Sequence, residues 1–162
     1  YTTLFRSYQQ VVEKLRPGAM ASGEIVHIDG RVLGQHDGII NYTIGQRRGL
    51  NVAVGEPLFV TKLDAPNKRV IVGPREALMV SDILLKETNW LAAPADGQPV
   101  LARVRSTRAP VPGSLRVLPN DRYAVHLDVP EEGVAPGQAC VIYDPQTHSR
   151  VLGGGWIAGA MG

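Results

Sequence analysis

Residues 123–129 read Tyr123-Ala124-Val125-His126-Leu127-Asp128-Val129, with Tyr123, Val125, Leu127 and Val129 alternating with Ala124, His126 and Asp128. Successive side chains of a strand point to opposite faces, so this spacing predicts a strand with one buried face. Working outward, five more runs of strand character are parted by turn residues: Asp82 to Leu91, Val100 to Thr107, Ser114 to Leu118, Ala139 to Tyr143 and Val151 to Ile157. No helix signal interrupts them. Six short strands in such a series predict a closed or nearly closed β-barrel over residues 77–162.

Upstream of Pro74-Arg75-Glu76-Ala77-Leu78 the composition differs, which puts a boundary between residues 75 and 82. Gly23 to Gln35 places Asp29-Gly30 between two β-prone runs, a signal for a tight hairpin. Pro57 to Asp64 and Lys68 to Gly73 form a second hairpin around Ala65-Pro66-Asn67. Val11, Val12 and Leu15 mark one stripe of a short helix stopped by Pro17-Gly18. His27 lies on the first strand, where cross-strand pairing or solvent exposure is a better reading than catalysis. Residues 1–7 fit no periodic pattern and read as a leader foreign to the rest. The expected fold class is α+β then all-β: a small central α+β domain over residues 8–76, then a six-stranded barrel.

Between the hairpins lies His36-Asp37-Gly38-Ile39-Ile40-Asn41-Tyr42-Thr43-Ile44-Gly45-Gln46-Arg47-Arg48-Gly49-Leu50. Asp37 can cap a helix there, Ile39, Ile40, Thr43 and Ile44 repeat at near-helical spacing, and Gly49 can end it. Arg47 and Arg48 in a last turn suit the helix dipole, a reading of plain capping and solubility. Gln46, Arg47 and Arg48 also set donors side by side, as binding a phosphate backbone requires. The two readings weigh equally.

The chain has 162 residues, 44% of them apolar, enough for a real core in one domain or two small ones. A net charge of only +2 means that any polyanion binding must come from local arginine clusters. One cysteine excludes an internal disulfide, and no Cys/His grouping has zinc-ligand spacing, so no metal is expected. There is neither a run long enough to span a bilayer nor a signal peptide, so the expectation is a cytoplasmic protein without membrane contact.

Leu101 to Arg108 reads Leu-Ala-Arg-Val-Arg-Ser-Thr-Arg, which as a strand puts Arg103 and Arg105 on one face, wet or facing an anion. Arg108 then enters the stiff loop Ala109-Pro110-Val111-Pro112-Gly113. Cys140, in a nearly all-apolar run, should be buried and inert. Gln138 is either a turn-stabilising amide or an exposed polar contact. Gly153-Gly154-Gly155-Trp156 lacks the strand-turn-helix setting of a phosphate loop and reads as a bulge or close approach in a barrel strand. No paired carboxylates, Ser-His-Asp order or Walker loop stands out, and by its residues alone the chain is a binding module.

Taken together, the Asp-Gly-Arg-Val-Leu-Gly-x-His-x-Gly run at 29–38, Tyr42 to Leu50, Asn89-Trp90-Leu91, Pro136-Gly137-Gln138 and Leu152-Gly153-Gly154-Gly155 resemble the C-terminal half of the bacterial tRNA-specific 2-thiouridylases. The resemblance covers nearly everything from Tyr8 onward. It implies a family in which an N-terminal domain uses ATP with Mg to adenylate C2 of the wobble uridine, and a cysteine persulfide delivers sulfur from a sulfur-relay donor protein. It also implies that the barrel is translation-factor-like and that both domains here help to grip tRNA. The family's phosphate loop and first catalytic cysteine fall outside the matched stretch. Its second cysteine would fall near Tyr1, where none is present, so no catalytic residue and no bound cofactor is expected in this chain. Carried over by position, Arg108, Ala109 and Gln138 are the expected tRNA contacts. His36, Gln46, Arg47, Arg48 and Arg105 are further candidates that face the RNA or the catalytic region. Two rivals make other predictions. A stand-alone translation-factor-like barrel adaptor would bind protein without salt sensitivity, and a thiol enzyme would need a reactive Cys140.

Overall fold

The structure is a computed structural model that describes residues 14–15 and 17–161. It divides into two compact units, the first ending at Leu78 and the second beginning at Met79. Val11 and Val12 of the expected N-terminal helix lie outside the described residues, and Leu15 is exposed.

In the first unit, β1 (Gly23–His27), β2 (Val32–His36), β3 (Phe59–Asp64) and β4 (Arg69–Gly73) form a sheet in the order β2-β1-β4-β3. Both expected hairpins form, and the parallel pairing of β1 with β4 joins them in the middle. The β-branched residues Ile25, Val60, Val70 and Val72 supply most of one face, with Ile39, Leu50 and Leu58 packed against them. Such side chains suit a pleated, buried surface. At the first hairpin Asp29 closes the turn by accepting from the Arg31 backbone N–H at 3.0 Å and from its Nε at 2.8 Å. Chiefly that backbone bond holds the Asp29 carboxyl down to about 2. His27 pairs through its backbone with Val72 of β4, but its side chain reaches neither a cross-strand partner nor solvent. It is buried, with Nδ1 3.0 Å from Asp29 Oδ2 of its own turn.

Residues 37–49 are not the expected helix. A single 3-10 turn, Ile39–Asn41, is followed by extended Tyr42 and two further turns. Asp37 makes no cap, because Gly38 leads into the turn with φ 154° and no side-chain cap bond forms. Tertiary pairing wins over local spacing here. The Gly45 N–H donates to the Val60 carbonyl and the Val60 N–H to the Gln46 carbonyl, at 2.8 and 2.9 Å, which binds the segment to β3. Gly45 and Gly49 both have positive φ, a conformation that would interrupt any helix.

The second unit contains β5 (Met79–Trp90), β6 (Pro99–Arg103), β7 (Val111–Leu118), β8 (Arg122–Glu132), β9 (Ala139–Tyr143) and β10 (Val151–Ala160). They close into a six-stranded barrel in the order β10-β5-β8-β7-β6-β9, and every pairing is antiparallel. Ile83, Leu115, Val125, Leu127, Ile142 and Ile157 fill its centre. The alternation at 123–129 holds at Val125 and Leu127, but Ala124 on the expected outer face is buried at 2% and Val129 is 65% exposed. Val129 falls where pairing with β5 jumps from Glu131 to His126, so its face is no longer the barrel interior.

The three consecutive glycines of β10, Gly153, Gly154 and Gly155, are places of close approach. A Cβ on Gly153 would lie 2.6 Å from the Asn89 carbonyl oxygen, one on Gly154 2.3 Å from that of Cys140, and one on Gly155 2.8 Å from that of Lys86. Register shifts at this point let β10 bend between β5 and β9. Among the described residues no helix is long and apolar enough to cross a membrane.

Candidate nucleic-acid interface

The strand carrying Leu101 ends at Arg103, not at Thr107, so Arg103 and Arg105 do not share a strand face. Buried Val104 draws the chain into the barrel core, and Arg105 follows it into a turn. There Arg105 Nη2 donates to the carbonyls of Glu132 and Gly133, the latter at 2.9 Å. A Cβ on Gly133 would stand 2.7 Å from that nitrogen, which makes room for the guanidinium a reason for glycine. Arg105 is therefore a brace between the β6–β7 loop and the end of β8, with Nη2 committed to backbone while its buried Nε has no hydrogen-bond partner among the described residues.

Three residues on, Arg108 is placed differently. Its Nη1 donates to Glu131 Oε2 at 2.9 Å, and its side chain is 53% exposed where that of Glu131 is 12% exposed. One edge of the guanidinium is held while the rest faces solvent. Ala109 beside it is exposed and leads through Pro110 into β7. Gln138 is exposed as well, after Gly137 with φ 84°. Its Oε1 accepts from the Ala135 N–H at 3.4 Å, and its carbonyl accepts from the Ile157 N–H at 2.8 Å. Half of its amide stabilises the turn and the amino half is turned to solvent. Arg105 and Arg108 grip residues 131–133 and Gln138 folds back on Ala135. All three border the one connection from β8 to β9, so the barrel brings Arg108, Ala109 and Gln138 to the same end. Glu131 was not apparent from the sequence, because no local pattern links it to Arg108, 23 residues away.

In the first unit the candidates separate. His36 is 3% exposed, with Nδ1 accepting from the Gly38 N–H and Nε2 facing the Lys68 carbonyl, both at 3.0 Å. That geometry places the proton on Nε2 and gives the ring a structural task, edge-on to Tyr42. Gln46 spends both ends of its amide within the loop, accepting from the Thr43 N–H and donating to the Arg48 carbonyl. Arg47 and Arg48 are exposed without ion-pair partners among the described residues. Arg47 lines an open cleft of about 270 Å³ with Asn51, Val52, Val54 and Glu56.

Cys140 is 1% exposed in the barrel core, and burial pushes its thiol up to about 12, which removes it as a nucleophile near neutral pH. Among the described residues no group of three His, Cys, Asp or Glu could hold a metal ion.

Two family models match the chain, one described as a tRNA methyl transferase PRC-barrel domain over residues 9–74 and one as an aminomethyltransferase beta-barrel domain over residues 80–157. Among curated proteins, the tRNA-specific 2-thiouridylase MnmA of Caulobacter vibrioides is 58% identical over 159 residues, which cover 94% of this chain and 41% of that protein. The protein of the same name from Hyphomonas neptunium is 62% identical over 158 residues, covering 94% and 40%. That from Maricaulis maris is 59% identical over 157 residues, covering 96% and 38%. The chain thus spans about 40% of the length of the relatives it matches.

Proposed function

The chain belongs to the tRNA-specific 2-thiouridylase family, matching its central and C-terminal domains, and from that premise we propose that it grips tRNA for ATP-dependent 2-thiolation of the wobble uridine. The observation that carries this reading is Arg108, half exposed at the tip of a loop that Arg105 braces. A guanidinium presented on a rigid support can offer two parallel N–H donors to one phosphate. Ala109 beside it leaves space for a backbone to approach, and the free amino end of Gln138 supplies a second donor at the same barrel end. Arg47 and Arg48 are a further cationic pair available to the RNA.

Adenylation and sulfur transfer belong to other parts of the family's architecture. The glycine run at 153–155 does not fit ATP: it is paired within the barrel ladder and cradles no phosphate. ATP with Mg and a sulfur-relay donor protein are accordingly assigned to an N-terminal nucleotide-binding domain, and the compartment to the cytoplasm.

The test is tRNA binding across a salt series, comparing this chain with an Arg108→Ala, Gln138→Ala variant. Binding should weaken, and the slope of log K against log salt should fall by roughly one unit, because one phosphate fewer is neutralised. Equal affinity and equal slope in the two proteins would refute the assignment of these residues.

A further inference from the structure

Among the described residues Trp156 is the one aromatic that is more than a third exposed, at 46%. The barrel forces it outward. Ile157, next in sequence, is fully buried in the core, so the strand must present Trp156 on the opposite face. Directly across from it stand Ala139 on β9 and Lys86 on β5. The single methyl of Ala139 leaves the indole uncovered, and exposed Lys86 brings an ammonium group with no ion-pair partner among the described residues. Farther along the same face Gly154 lies opposite Val141, and Val141 opposite Arg103. The guanidinium of Arg103 sits 5.9 Å from the centre of the Tyr143 ring. Of the carboxylates on β5, Asp82 is engaged with His126 at 2.9 Å, and Glu87 adjoins Lys86 in sequence.

We propose that Trp156 is a stacking platform for one unpaired base of the bound RNA, with Lys86 meeting the phosphate beside that base. This rests on the tRNA-gripping reading and adds a point of attachment to it. A nucleotide offers a flat π-face and, one sugar away, an anion. A bare indole with a cation directly across the strand is complementary to both. A protein-docking anchor would instead be expected to sit within a ring of apolar neighbours, and Trp156 has alanine, glycine and lysine around it. The platform also adjoins the proposed RNA-binding turn at Gln138, whose carbonyl accepts from the Ile157 N–H. An RNA held at the Gln138 turn therefore passes the indole.

The experiment uses the whole chain with an unmodified tRNA transcript. Tryptophan emission is followed during titration, and affinities are measured for Trp156→Ala, Trp156→Phe, Lys86→Ala and Arg108→Ala. The RNA should quench the red-edge emission of the exposed indole. Trp156→Ala should weaken binding about tenfold with an unchanged salt slope, while Trp156→Phe, which keeps a π-face, retains most of the affinity. Lys86→Ala should lower the slope by roughly one unit. If Trp156→Ala binds like the parent without quenching while Arg108→Ala is impaired, the platform is overturned and the gripping reading stands. If Trp156→Ala is impaired and Arg108→Ala is not, the platform stands and the Arg108 assignment falls. A chain that binds no tRNA at low salt overturns both, and self-association abolished by Trp156→Ala would assign this face to a protein contact and overturn the platform.

Discussion

At the scale of single residues, the proposed role of Arg108 requires it to exchange one partner for another in order to bind phosphate. Its pair joins a half-exposed guanidinium to a Glu131 side chain only 12% exposed, so exchange leaves a largely buried carboxylate without its partner and costs more than the about 0–1 kcal/mol of a surface pair. The carboxylate therefore competes with phosphate. Glu131→Gln, which keeps the shape and removes the charge, should tighten tRNA binding a few-fold at low salt. Adding Arg108→Ala should cancel the gain, and a double-mutant cycle measures the coupling. Cys140 makes a prediction about pH. Its thiol ionises near 9 in an unfolded chain and about 12 in the fold, so the unfolded state gains the thiolate first. The contribution is fully present below about 9 and declines as pH rises toward 12. Cys140→Ser or Cys140→Ala should remove that alkaline component from the stability profile, and a thiol reagent at neutral pH should react with the folded protein only as fast as it opens. The burial of Cys140 was legible from its apolar flanks, Val141 and Ile142. The task of His36 was not, because its acceptor is a carbonyl 32 residues away.

At the scale of elements, the barrel strands were legible wherever one face is uniformly buried, and hard to read where a strand bends or stops. Residues Val100 to Thr107 look like one strand, yet the ladder ends at Arg103 because Arg105 leaves it to brace Gly133. The segment at 37–49 has helical spacing and still forms no helix, since Gly45 and Gln46 pair with Val60 across the chain. Neither partner is visible in a local window. The glycine run of β10 was legible as a close approach, and the structure specifies which carbonyls it meets. Gly154→Ala would drive a methyl into the Cys140 backbone, an overpacking that costs about 1–3 kcal/mol or more. Gly159→Ala on the same strand meets nothing within 4 Å and should be close to neutral. Denaturant midpoints of the two variants test the distinction, and equal midpoints would show that β10 can move away from β9.

At the scale of the whole molecule, charge sets how the proposed RNA partner could be held. Residues 79–162 carry seven Lys and Arg against eight Asp and Glu, a net −1, and residues 1–78 carry ten against seven, a net +3. A barrel with no positive field of its own cannot draw in a polyanion from a distance. On the proposed tRNA-gripping role, its grip would come from a few placed groups, Arg108 and Lys86 for phosphate with Gln138 and Trp156 for the rest. Counterion release scales with the number of phosphates neutralised, so two of them imply a slope of log K against log salt of roughly −2. Raising salt fourfold, from 50 to 200 mM, should then cost about tenfold in affinity, far less than for a protein that neutralises six phosphates or more. A measured slope near −6 would mean that cations beyond the barrel pair carry the binding. In that case Arg47→Ala, Arg48→Ala in the first unit should reduce the slope by roughly two units while Lys86→Ala and Arg108→Ala account for only a minor part.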